Sequence, residues 1–405
     1  MSFDEVKKLS IYVHVPFCVK KCLYCDFLSF KANEKSVKEY FSAINCEIIL
    51  SSKKYKDYKV QSIFFGGGTP SYVDAGLICD TLSAIKEYFT VSDDAEISLE
   101  VNPASAIMDK LRAYKAAGFN RISIGAQSLN DEELKKLGRV HDSRMFFETF
   151  ENARKAGFAN INVDVMSALP DQSFDSYMTT LSKVVDLRPE HISAYSLIIE
   201  EGTPFYDMDL NLPDEELDRQ MYHETKRFLA ANGYHRYEIS NYALSVEDGS
   251  NEGSKETNRS PDEEAAYEKY ECFHNKVYWK RGNYLGLGLG ASSMVENTRW
   301  KNTSEIDRYK EILSKTDLEA LREDEQILSE KECMEEFMFL GLRLTKGVKI
   351  SAFKEQFGHE IDEIYGKIIE QYIGCGLLEK SGGYLYLTEK GLDVSNTVMA
   401  DFLLD

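Results

Sequence analysis

The chain has 405 residues and a formal charge of −20 at pH 7. That charge disfavours binding to nucleic-acid phosphates, and the length exceeds what one ordinary core holds, so one large and one small domain are expected. Apolar content is an ordinary 43% and no apolar run reaches membrane-spanning length, which predicts a soluble, cytoplasmic protein without a transmembrane segment. Of eight cysteines, Cys46, Cys79, Cys272, Cys333 and Cys375 are scattered, a reduced-compartment pattern.

The other three sit together near the start. Ile11 to Val15 is a β-branched, aromatic run that predicts a buried strand, and Pro16 ends it. Cys18, Cys22 and Cys25 follow in one loop with the spacing Cys-x3-Cys-x2-Cys. Structural zinc wants four ligands, usually in Cys-x2-Cys pairs, and no second pair is near. An iron–sulfur cube takes three thiolates from the protein and leaves one iron open for an amine and a carboxylate. Plain structural thiols are the alternative, but Val19-Lys20-Lys21 is too polar for a core loop.

Helix is expected over Glu34 to Leu50, then a strand Gln61 to Phe65 running into Gly66-Gly67-Gly68-Thr69-Pro70. A helix from about Asp74 to Phe89 precedes strand Ile97 to Val101. Helix Met108 to Ala117 ends at Gly118, a C-cap residue. Strand Arg121 to Ile124 ends at Gly125-Ala126-Gln127-Ser128. Helical patterns cover Asp131 to Leu137 and Ser143 to Ala156. Strand Asn160 to Val165, helix Phe174 to Leu187 and strand His191 to Leu197 complete the series.

Six strand–helix units at roughly 30-residue spacing predict a parallel sheet with helical crossovers. Alternation alone also allows a doubly wound sheet. The unusual residues all fall where strands end, which in a β/α barrel is the rim that carries active sites. The expected class is α/β, a partial six-unit barrel over residues 1–245.

Residues 246–268 hold eight acidic and two basic residues and no apolar period, which predicts a mobile surface insertion. Residues 269–330 read as a connecting segment. It contains Cys272-Phe273-His274-Asn275-Lys276-Val277-Tyr278-Trp279 and then an alternating Leu-Gly run, Tyr284 to Ser293, that fits a strand closely approached by other backbone. Residues 331–405 read as three helices, two short strands around Ser381-Gly382-Gly383 and a last helix, the order of a winged helix. Its third helix carries Asp362, Glu363 and Glu370 against Lys367, so packing or partner docking is expected, with no nucleic acid.

Several residues stand out chemically. Three consecutive glycines leave backbone uncovered, so Gly67, Gly68 and Thr69 suit close ligand approach, or merely a tight turn. Glu100 lies in a core-facing strand and needs a partner, either a salt bridge or a ligand's ribose hydroxyls. Gln127, Arg139 and Asp164 follow at the next rim positions. In His274-Asn275-x-x-Tyr278-Trp279, two aromatic rings beside an imidazole suit a flat porphyrin with His274 on its iron. Within that reading Cys272 is the substitute ligand; the plainer reading makes His274 and Asn275 a turn cap and Tyr278 and Trp279 core.

With Tyr24 before its last cysteine, the loop resembles the signature of radical S-adenosylmethionine (SAM) proteins. Most of the chain resembles one branch, the HemW heme chaperones, relatives of the oxygen-independent coproporphyrinogen oxidases. The resemblance covers the cysteine loop, Gly66 to Pro70, Gly125 to Ser128, Asp164 to Pro170, His191 to Pro204, Tyr237 to Tyr242 and the tail. It implies a [4Fe–4S] cluster on Cys18, Cys22 and Cys25, and SAM held by Tyr12, Tyr24, Gly67, Gly68, Thr69, Glu100, Gln127, Arg139 and Asp164. The glycine loop would meet the methionine end of SAM and Glu100 its ribose.

Two features separate the branches. The oxidases resemble Cys-x3-Cys-x2-Cys-x-Cys, whereas Phe27 follows Asp26 here, and they carry a longer N-terminal arm than the roughly ten residues here. The His-Asn-x-x-Tyr-Trp run is typical of the chaperones; the acidic insertion departs from the pattern. The expected function is binding heme and handing it to apo-proteins. The alternative is oxidative decarboxylation of porphyrinogen propionates. The sequence leaves open the heme acceptor, whether SAM is cleaved, and the oligomeric state.

Overall fold

A computed structural model describes residues 6–245 and 261–404. Six strands run parallel: β1 (Lys7–Val15), β2 (Tyr58–Gly67), β3 (Thr90–Val101), β4 (Arg121–Gln127), β5 (Ile161–Ser167) and β6 (His191–Ser196). They lie side by side in chain order, as consecutive strands joined by short connections usually do. Ile11, Val13 and Val15 of β1 are buried, and so are Ile63 and Phe65 of β2. Helices close the outer face, and their starts are set locally. Asn33, Asp142 and Ser173 each accept a backbone N–H at a helix N-terminus. Gly118 ends the Met108–Ala117 helix at φ 104°, where only glycine is unstrained.

The sheet continues beyond the six units. Past β6, β7 (Tyr234–Arg236) and β8 (Asn241–Leu244) join antiparallel. Past β1, β9 (Tyr284–Leu287) pairs parallel, followed by antiparallel β10 (Ser292–Val295), β11 (Thr298–Asn302) and β12 (Arg322–Ile327). The segment expected as a connection thus supplies four strands to the sheet. The Leu-Gly run does meet other backbone: a Cβ on Gly286 would stand 2.3 Å from the Ser292 carbonyl oxygen. One cavity is lined from all six parallel strands or the loops that follow them, so the sheet is curled into a partial barrel.

A second core gathers Leu328, Met338, Phe353, Tyr365, Leu385 and Phe402. Its helices Glu330–Gly341, Ile350–Phe357 and Ile361–Gly374 pack with a three-stranded antiparallel sheet, the expected winged-helix order. Two short helices, Glu389–Asp393 and Ser395–Ala400, replace the single last one. Lys380 pairs with Asp362 on the third helix.

Other boundaries moved for physical reasons. β3 starts at Thr90, not Ile97, because Thr90 and Val91 already pair with Lys59 and Val60 of β2; Ser92 to Ala95 fall in the register shift between Val60 and Ser62, and pairing resumes at Glu96. The first helix runs to Lys54, since Lys53 and Lys54 suit the negative end of the helix dipole. Residues 246–260 of the expected insertion lie outside the described residues. The rest is not irregular: Pro261–Tyr267 is helical, and Tyr267 stacks on His235 at 3.8 Å. Among the described residues no helix is long and apolar enough to cross a membrane.

Candidate functional site

The cysteine loop leaves the C-terminal end of β1 and is pinned at its base. Cys18 N–H donates to Phe30 O and Phe30 N–H to Pro16 O. Its far side is tied by Leu23 N–H to Leu137 O and by Phe205 N–H to Leu23 O. Val19, Lys20 and Lys21 stay exposed. Cys18 is buried, Cys22 and Cys25 are half-buried, and all three are free thiols. Cys18 Sγ lies 3.3 Å from Thr69 Oγ1, and Arg139 Nη1 points at Cys22 Sγ from 3.8 Å. Burial pushes the Cys25 thiol up to about 11.

The glycine loop explains itself from packing first. Gly67 has φ 110°, and a Cβ there would sit 2.4 Å from the His14 ring. A Cβ on Gly68 would meet the Phe17 and Val15 backbone at 2.9 Å. Its amides are not open to a ligand as expected: Gly68 N–H donates to Val15 O, Thr69 N–H to Phe17 O, and Gly67 N–H to the Glu100 carboxylate. The three residues nevertheless line the cavity.

That cavity, about 610 Å³, runs from the cysteine loop into the barrel. It gathers Cys18, Cys22, Cys25, Tyr24, Gly67, Gly68, Thr69, Glu100, Gln127, Arg139 and Asp164. Tyr12 is not on its wall; its hydroxyl bonds His14 Nδ1 at 3.0 Å and its ring stacks on Phe64. Burial, then the nearby Asp164, raises the Glu100 carboxyl to about 8. Asp164 is also raised by burial, although Asn162 Nδ2 at 2.7 Å and Ser123 Oγ at 3.2 Å donate to it. Gln127 adopts φ 60°, a strained value for a non-glycine, and its Oε1 is buried without a partner among the described residues.

Sequence reasoning missed Arg121, Ser123, Asn162, Ser193 and Tyr195, which also line the wall. Arg121 is 2% exposed, and its Nε has no hydrogen-bond partner among the described residues. The available signal was polar residues recurring inside apolar strands.

The His274 motif lies elsewhere. His274 sits in the first turn of helix Phe273–Trp279, 2% exposed, under β2. Glu96 accepts the His274 backbone N–H and fixes that turn. The Ser62 hydroxyl donates to Ser10 Oγ, so His274 Nδ1–H donates to Ser62 Oγ, at 2.8 Å. Nε2 then accepts from the Tyr278 hydroxyl at 3.0 Å. Burial, then Arg121, lowers the imidazole to about 3, so it is neutral. Tyr278 packs edge-on to Tyr284, and the Trp279 face is covered by the Arg343 guanidinium at 4.3 Å. None of the three reaches the cavity; Cys272 and Asn275 of the same segment do.

Residues 12–184 match the radical SAM superfamily and residues 328–394 the HemN C-terminal domain. The heme chaperone HemW of Bacillus subtilis is 33% identical, over 97% of this chain and 99% of that protein. HemW of Escherichia coli is 30% identical, over 99% of this chain and 100% of its own length. The solved structure of coproporphyrinogen III oxidase (HemN) from Escherichia coli, a radical SAM enzyme, aligns with TM-score 0.82 at 25% identity, over 98% of this chain and 90% of that one. The chain belongs to the HemW family of radical SAM proteins.

Proposed function

We propose that this chain is a heme chaperone that binds heme and passes it to acceptor proteins, with a [4Fe–4S] cluster and exchangeable SAM in the barrel. What carries this reading is likeness along the whole chain to proteins named heme chaperone HemW. The donor set fits a cluster: three thiols from one loop face the cavity, and among the described residues no three ligands converge on a single-ion point. Each corner of a cube takes its own thiolate, so convergence is not needed. When bound, the cluster supplies one iron open to an amine and a carboxylate.

The wall fits a polar ligand of SAM size. Gln127 Oε1 and Arg139 Nε are buried without partners, and both residues line the cavity. Glu100 is placed to accept ribose hydroxyls once ionised, and Asp164, Gln127 and Arg139 complete the contacts. Gly67, Gly68 and Thr69 border the methionine part, and Tyr24 closes one side. Tyr12 acts only through His14 and Phe64.

The second reading is a porphyrinogen decarboxylase, favoured by the likeness to HemN. Phe27 in place of a fourth cysteine speaks against it. One reconstituted sample separates the two. The chaperone reading expects stoichiometric heme binding on titration and no decarboxylation of coproporphyrinogen. Turnover without heme binding reverses the assignment.

A further inference from the structure

Four large apolar side chains stand exposed around the mouth of the cavity. Phe27 is 66% exposed, Ile198 70%, Val19 46% and Val140 40%, and all four line the cavity. Single exposed apolar residues are ordinary, but four around one opening form a patch that marks binding. They come from three separate segments: the cysteine loop, the turn after Arg139 and the loop after β6. Lys20 and Lys21 stand exposed at the same mouth. Neither pairs with a carboxylate among the described residues. Asp26 and Glu200 share the mouth and oppose an anion, so the lysine pair must supply the attraction.

We propose that heme docks flat over this mouth, its macrocycle on Phe27, Ile198, Val19 and Val140 and its two propionates at Lys20 and Lys21. The proposal rests on the heme-carrying reading above and moves the site away from His274. A ligand with broad apolar faces and two negative charges matches an apolar ring beside two unpaired cations, in a chain of charge −20. The floor motif offers the opposite: a sealed imidazole with both nitrogens engaged. Docking at the mouth breaks none of those bonds and leaves the macrocycle open for transfer.

The test is titration of hemin, and of hemin dimethyl ester, into the reconstituted wild type and four variants, with iron content and SAM affinity measured in each. The variants are Ile198→Asp, Phe27→Asp, the pair Lys20→Gln with Lys21→Gln, and His274→Ala. Ile198→Asp is expected to weaken hemin about tenfold or more, the loss of one large apolar contact, with cluster content unchanged. The lysine pair should weaken hemin about threefold to tenfold and leave the ester unaffected. His274→Ala should leave hemin affinity unchanged. Hemin affinity unchanged in both Ile198→Asp and the lysine pair overturns the proposal, as does a loss confined to His274→Ala. A wild type that binds no hemin fails the heme-carrying reading itself. Ile198 lies outside the cysteine loop, so it still decides if Phe27→Asp disturbs the cluster.

Discussion

The mouth and the floor of the barrel are both rich in polar residues, yet they are built on opposite terms. At the floor, Glu96, Ser62, His274 and Tyr278 form a closed chain in which each donor meets an acceptor. At the mouth and along the wall, Gln127 Oε1 and Arg139 Nε are buried without partners, three thiols are free, and four apolar side chains face water. Burying a polar group unpaired is costly, and a ligand in the cavity would relieve that cost at Gln127 and Arg139. The contrast teaches that a motif's residue types do not by themselves make a site; where their donors and acceptors are already spent matters as much.

The largest effect that sharpens the comparison is at the thiols. Cys22→Ala should abolish the cluster after anaerobic reconstitution, read by iron and sulfide analysis, while the thermal transition of the unloaded chain hardly moves. A normal four-iron content would end the cluster assignment. Next comes the wall. Glu100→Ala removes the ribose acceptor; measured above pH 8, where the carboxylate is charged, the loss is worth about 1.5–3 kcal/mol, or roughly tenfold to a hundredfold in SAM affinity. Equal SAM affinity in calorimetry would take Glu100 out of the site.

The floor should respond differently. His274→Ala strips Ser62 and Tyr278 of a partner each and should cost about 2 kcal/mol in denaturant unfolding, with cluster and SAM binding intact. Lost SAM binding at unchanged stability would erase the distinction between floor and mouth.

The smallest effect, taken per pH unit, is a pH slope. The Glu100 carboxyl is held near 8 in the folded chain against 4.5 when unfolded. Between those values the folded chain keeps a proton that the unfolded chain has released. Stability of the SAM-free protein therefore falls as pH rises from about 4.5 to 8, by at most about 1.4 kcal/mol per pH unit. Glu100→Gln should flatten that slope, and an identical slope in the variant would place the titration elsewhere.

Much of this was legible in the residues. Apolar runs marked the six strands, the first four ending at or near glycine or proline, because a strand covered on both faces has no polar face to hide. Glu100 and Asp164 were visible as carboxylates inside such runs. Ser123 and Asn162 were not, because doubly covered strands lack the alternation that tells inward from outward. His274 was misplaced because its seven-residue helix is too short to show a period, and because Ser62, which seals it, lies 212 residues away in the chain. The start of β3 was missed because the register shift over Ser92 to Ala95 separates Thr90 and Val91 from the apolar run that begins at Ile97. The glycine loop was found, but its amides are spent on β1 and Glu100, a use that only the packing of β2 against β1 reveals.

The central claim is that the cysteine loop and the strand ends form one site. SAM affinity of the wild-type chain, measured by calorimetry before and after cluster loading, tests it most directly. A shared site predicts binding at least about tenfold tighter with the cluster in place, since the open iron then adds a ligand for the amine and carboxylate. Equal affinity in the two states would mean that the thiols and the wall serve different ligands.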